Sequence, residues 1–157
     1  MSHRLLSGRE IEFETEIVNY SEVQGLTVWS KQLSAYGINT LEDALETTEA
    51  GLFLYHRLKT APDFRFARID WEAGIIPIIE LSDFFEIMPD GKQQTSLECV
   101  LDNELYEQLG SPIFFTEFRE GYWWRKCRGE SYNPLWSKDR QELRELWQQL
   151  LPGNFSS

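Results

Sequence analysis

The stretch from Glu10 to Ile17 reads EIEFETEI, and its alternation restricts the fold more than any other feature of the chain. Successive side chains of an extended strand point to opposite faces, so Glu10, Glu12, Glu14 and Glu16 fall on one side and Ile11, Phe13, Thr15 and Ile17 on the other. Helical winding would scatter both sets around the axis. The spacing predicts a strand with its carboxylates exposed and Ile11, Phe13 and Ile17 turned to the core. Such a row of like charges is tolerable only in water or opposite cations.

Further along, the period changes. In LTVWSKQLSAYG, Leu26, Trp29, Leu33 and Tyr36 stand near helical spacing and Gly37 supplies a stop, which predicts a helix. Thr40 and Asp43 then resemble a capping box that opens a second helix on Leu41, Ala44 and Leu45, with Gly51 leaving room for a separate strand over 51–58. FRFARIDW, IIPIIEL and LECVLD read as strands, and Pro77, which lacks an amide donor, assigns its segment to a sheet edge or bulge. DNELYEQLG predicts a short helix capped by Asp102 or Asn103 and ended at Gly110. PIFFTEF and GYWWRKC predict a hairpin with Gly121 in its turn.

The last element is an amphipathic helix over about 138–151, because Leu143, Leu146, Trp147, Leu150 and Leu151 recur on one face and PG follows. Helices before and after a strand-rich middle imply an α+β fold: one domain over 10–152, mainly antiparallel sheet with helices packed on one face. Residues 1–9 and 153–157 read as flexible tails. A chain of 157 residues suits a single core.

Charge narrows the choice of partner. The net charge is −11, so the mean field repels nucleic-acid phosphates and anionic lipid, and neither is expected as a partner. The distribution is uneven. Residues 1–117 hold 8 basic and 21 acidic side chains, a balance of −13, whereas 118–157 hold 7 and 5, a balance of +2. No apolar run approaches the roughly 20 residues of a membrane helix, and MSHRLLSGRE has no apolar segment for secretion, so a soluble, cytoplasmic protein is expected.

Catalytic signatures are sparse. His3 and His56 are the histidines and Cys99 and Cys127 the cysteines, scattered rather than grouped as nucleophile and base or as zinc ligands. No phosphate-cradling glycine motif is present, and no catalytic residue, metal or cofactor is expected. Acid pairs drawn from Asp70, Glu72, Glu80, Asp83, Glu86 and Glu117 leave a small acid-dependent enzyme, built around Asp70 and Glu117, as the alternative. With 26 acidic side chains, carboxylates come near one another by chance, and exposed ones are the rule.

The segment REGYWWRKCRGESYNPLW carries the informative cluster. On a strand, Tyr122 and Trp124 share one face and Trp123 and Arg125 the other, so tandem tryptophans cannot both enter one core layer. Arg119, Tyr122, Trp123, Trp124, Arg125 and Arg128 form the candidate partner-binding set, since Trp, Tyr and Arg dominate binding hot spots, the alternative being that Arg119, Arg125 and Arg128 pair internally with the acidic body.

These segments, RIDWEAGIIPIIEL, GSPIFFTEFREGYWWRKCR and ELRELWQQLLPG, resemble the cyanobacterial and chloroplast family called chlororespiratory reduction 6, from about Glu12 to Pro152. The resemblance implies a non-enzymatic assembly factor, or chaperone, for the photosynthetic NAD(P)H dehydrogenase-like (NDH-1) complex. It acts in the cytosol or, in chloroplast relatives, the stroma. The implied partner is NdhI, a ferredoxin-like subunit with two iron–sulfur clusters. A structural subunit of a larger assembly is a further alternative. Two cysteines fall short of the four thiolates that a cluster takes, so the chain is expected to hold none alone.

Overall fold

The computed structural model describes residues 1–20, 23–33, 37–69, 76, 78–126 and 145. Its helices and antiparallel sheets make the fold α+β, as the sequence predicts. Apart from Glu145, the amphipathic helix expected over 138–151 lies outside the described residues, as do Arg128, Asp70 and Cys127. The chain divides into two compact units, Met1–His56 with Arg128–Ser157, and Arg57–Cys127.

The first unit begins with β1 (Ser2–Arg4) and β2 (Glu10–Glu12), paired antiparallel with His3 opposite Ile11. Residues 1–9, expected as a flexible tail, instead supply a strand, a turn at Gly8 (φ +88°) and the buried Leu5. That turn is tied down by side chains distant in sequence. The Leu6 amide donates to the Glu49 carboxylate (2.9 and 3.0 Å), the Ser7 hydroxyl donates to Glu46 (2.7 Å), and Arg9 pairs with Glu46.

β3 (Glu14–Tyr20) and β4 (Val23–Trp29) form a separate antiparallel hairpin. The helix expected over 26–36 is therefore a correction: Leu26 and Trp29 stand on β4, and 34–36 lie outside the described residues. Thr27 and Val28, β-branched and extended by preference, pair with Glu16 and Thr15, and cross-strand pairing outweighs the weak helical spacing. Ile11 and Phe13 are buried and all four glutamates are exposed, as predicted, but Ile17 is 64% exposed. The core stops at Phe13, because the cluster of Leu5, Ile11, Phe13 and Ala50, with Val28, Leu33, Phe53 and Leu54 against it, lies at the base of the hairpin.

α1 (Leu41–Leu58) is continuous through Gly51, so no strand forms over 51–58. Its start is a reciprocal capping box: the Asp43 amide donates to the Thr40 hydroxyl (3.1 Å) and the Thr40 amide to the Asp43 carboxylate (3.0 Å). Thr48, buried within the helix, is satisfied by donating to the Ala44 carbonyl (2.7 Å).

The second unit contains β5 (Phe66–Arg68), a 3-10 helix (Ile78–Phe84), β6 (Glu86–Ile87), β7 (Gln93–Gln94), β8 (Cys99–Asp102), α2 (Asn103–Gln108), β9 (Thr116–Arg119) and β10 (Tyr122–Trp124). β6 and β7 form a small hairpin turned at Gly91 (φ +80°), and the four-stranded sheet runs β5-β8-β10-β9. The strand expected over IIPIIEL is a second correction. Leu81 is buried beside a half-buried Phe85 while Ile79, Glu80, Ser82 and Asp83 are exposed, a helical rather than a two-residue pattern. Pro77 itself is outside the described residues.

Register places Phe66 and Trp123 on either side of Leu101, all on one face. That face packs under α2 and the 3-10 helix through Cys99, Leu101, Leu81, Leu105 and Leu109. Burying side chains of this size stabilises by about 1.5–3 kcal/mol each. α2 starts as predicted, with the Asp102 carboxylate accepting from the Leu105 amide (2.7 Å), and Gly110 follows it at φ +75°.

Candidate partner-binding surface

β9 and β10 are joined at Gly121 (φ +77°), and the pairing shifts register between Tyr122 and Trp123. Alternation then sends the tandem tryptophans to opposite faces. Trp124 is only 3% exposed and meets Phe118 edge-on (5.6 Å), and Tyr122 is likewise buried. Trp123 is half-buried: its indole Nε1 donates to Asn103 Oδ1 (3.0 Å) and its ring stacks on Tyr106 (4.5 Å, 16°). Tyr106 in turn meets Phe115 (5.7 Å), and Phe115 lies 6.5 Å from Phe85. Trp123 is thus the outer end of an aromatic row that runs back into the core.

The arginines divide in the same way. The Arg119 guanidinium donates to the carbonyls of Leu58, Lys59 and Ala61 (3.4, 3.3 and 2.6 Å) and lies 4.1 Å over the Tyr122 ring. These carbonyls sit at and beyond the end of α1, where the negative pole of the helix dipole favours a cation. Asp63 stands 3.7 Å away. Arg119 is therefore bound internally. Arg125 lies with its guanidinium 5.0 Å over the Phe114 ring while its amide donates to the Cys99 carbonyl (2.9 Å).

Phe114 was not among the residues singled out from sequence. It is 62% exposed and adopts φ +68°, a conformation that costs a bulky L-residue about 1–3 kcal/mol. The loop is held around it. Ser111 N donates to the Tyr106 carbonyl (3.0 Å), Ile113 N to the Gln93 carbonyl (2.9 Å), and Pro112 is buried. Phe115 packs against the core while Phe114 faces out, and since both precede β9 the split follows from the turn and not from strand alternation, so no periodicity in the sequence marked it.

Beside this surface an open concavity of about 440 Å³ is lined by residues that include Asp63, Phe64, Arg65, Asp102, Glu104 and Tyr122. Arg65 bridges Asp102 and Glu104 (both 3.2 Å), so the one cation of the lining is already engaged and three carboxylates leave the concavity net negative. Glu117, required by the enzymatic alternative, is exposed on β9 opposite Trp123.

Burial pushes the Cys99 thiol up to about 12, against a smaller opposing influence from Arg68 and Arg125, so it carries no thiolate at neutral pH. Burial also raises Tyr106, and the Lys92 amide lowers Asp90. Among the described residues, no group of three His, Cys, Asp or Glu side chains could hold a metal ion, and no helix is long and apolar enough to cross a membrane. Comparison finds no family model that matches the chain and no similar curated protein or solved structure.

Proposed function

We propose that this protein acts by binding rather than by catalysis, as an assembly factor of the kind its resemblance to the chlororespiratory reduction 6 family implies. It holds an immature subunit of the NDH-1 complex, NdhI, in the cytosol or stroma until assembly proceeds. The supporting observation is Phe114: an aromatic side chain kept in water, at a backbone angle that disfavours it, beneath an arginine. Folding alone gains little from such a residue, whereas an exposed aromatic beside a guanidinium has the composition of a binding hot spot. The binding surface is then Phe114 and Arg125, with the exposed edge of Trp123. Shielding of apolar surface on an unfinished subunit gives the activity its physical purpose.

Phe114→Gly separates binding from folding. Glycine accepts φ +68° without strain, so the variant should melt at or above the wild-type temperature. Its affinity for the immature subunit should fall about thirtyfold or more, the loss of roughly 2 kcal/mol that marks a hot spot. Titration calorimetry with purified subunit checks this. Wild-type affinity in folded Phe114→Gly and Arg125→Ala would remove the surface from the proposal.

A further inference from the structure

The hairpin of β3 and β4 carries an inference that does not rest on the reading of Phe114. Among the described residues, these strands pair only with each other, so every second residue of each presents its N–H and C=O along an outer edge. A two-stranded hairpin standing by itself is marginal in water, and a third strand is the usual remedy.

Register shows what a third strand would meet. Ile17 pairs with Leu26 on one face, and both are about two-thirds exposed (64% and 65%). Glu14 and Glu16, opposite Trp29 and Thr27, lie on the other face and are exposed. Glu14 has Lys31 at 3.0 Å, but both side chains are in water, where such a pair is readily exchanged. The β3 edge therefore shows carboxylates to one side and an aliphatic pair to the other.

We propose that the β3 edge accepts a strand from another protein, an extended segment in which lysine or arginine alternates with aliphatic residues. Basic side chains of that segment lie against Glu14 and Glu16, and its aliphatic ones extend the Ile17–Leu26 pair. Main-chain hydrogen bonds supply affinity, and the alternation supplies specificity. A second copy is a poor occupant, because pairing β3 with itself sets carboxylates against carboxylates on one face. Were the glutamates only a guard against edge pairing, the hairpin would refuse every strand, whatever its charge.

The test uses the full chain and a blocked seven-residue peptide alternating lysine and valine, titrated by NMR and by fluorescence anisotropy. Saturable binding, with amide shifts confined to Glu14–Tyr20 and β4, is expected. The peptide with glutamate for lysine should not bind, and Glu14→Gln with Glu16→Gln should weaken affinity about tenfold for two lost charge pairs. N-methylating every second peptide amide, which removes donors and leaves charge intact, should weaken it by a similar factor on the edge that β3 uses. Undiminished binding of both N-methylated frames would show attraction by charge alone and overturn the proposal. So would failure of the lysine–valine peptide to saturate, or a dimer in sedimentation that substitution of Ile17 dissolves.

Discussion

Arg119 and Arg125 flank the same strand, and their surroundings give them different tasks. Arg119 is spent inside the fold on three carbonyls and the Tyr122 ring, so Arg119→Ala should destabilise by about 1.5–3 kcal/mol, the range for hydrogen bonds to a charged group. Folded Arg119→Ala should still bind the partner with wild-type affinity. Chemical denaturation beside calorimetry separates the two, and a binding loss without a stability loss would reverse the assignment. Cys99 is the other residue whose surroundings decide its behaviour. With its thiol pushed up to about 12 from an ordinary value of 9.0, the neutral form is favoured in the folded chain, so its contribution to stability is full below pH 9 and is lost as pH rises from 9 towards 12. In that window each pH unit should cost about 1.4 kcal/mol. Melts of wild type against Cys99→Ala should converge in relative stability across the same range, and alkylation of Cys99 at neutral pH should require unfolding.

At the scale of elements, local signals and tertiary ones contribute separately. α1 begins where its capping box says, and Thr40→Ala should cost about 1 kcal/mol by leaving the Asp43 amide without its acceptor. A thermal melt with no shift would mean that packing alone holds the first turn. The hairpin at Gly121, the cap at Asp102 and the stop at Gly110 were all legible for the same reason: each depends on residues within one turn of chain. The helix expected over 26–36 and the strand expected over IIPIIEL lacked such signals. Residues 26–36 carried only a loose helical spacing, and of its apolar side chains Leu26 stands exposed on a strand. IIPIIEL offered an apolar run without period, and packing of Leu81 into the cluster with Cys99 and Leu105 selected a 3-10 helix.

For the whole molecule, the sequence alone determined the class, α+β with antiparallel pairing, because period and caps are written in neighbouring residues. It also determined that Trp123 and Trp124 must part, since alternation is a property of any strand. Which of them is buried was decided by tertiary structure: α2 brings Tyr106 and Asn103 to Trp123, while Phe118 meets Trp124 on the other face. Likewise, the concentration of basic charge after Glu117 could be counted from composition, but not its use. Arg119 finds its acceptors 58 to 61 residues away, and Leu6 and Ser7 find theirs 43 and 39 residues away on α1. Such contacts form only when the chain closes long loops, so no local pattern encodes them, and a surface arginine and a buried one read alike until the fold brings their partners near.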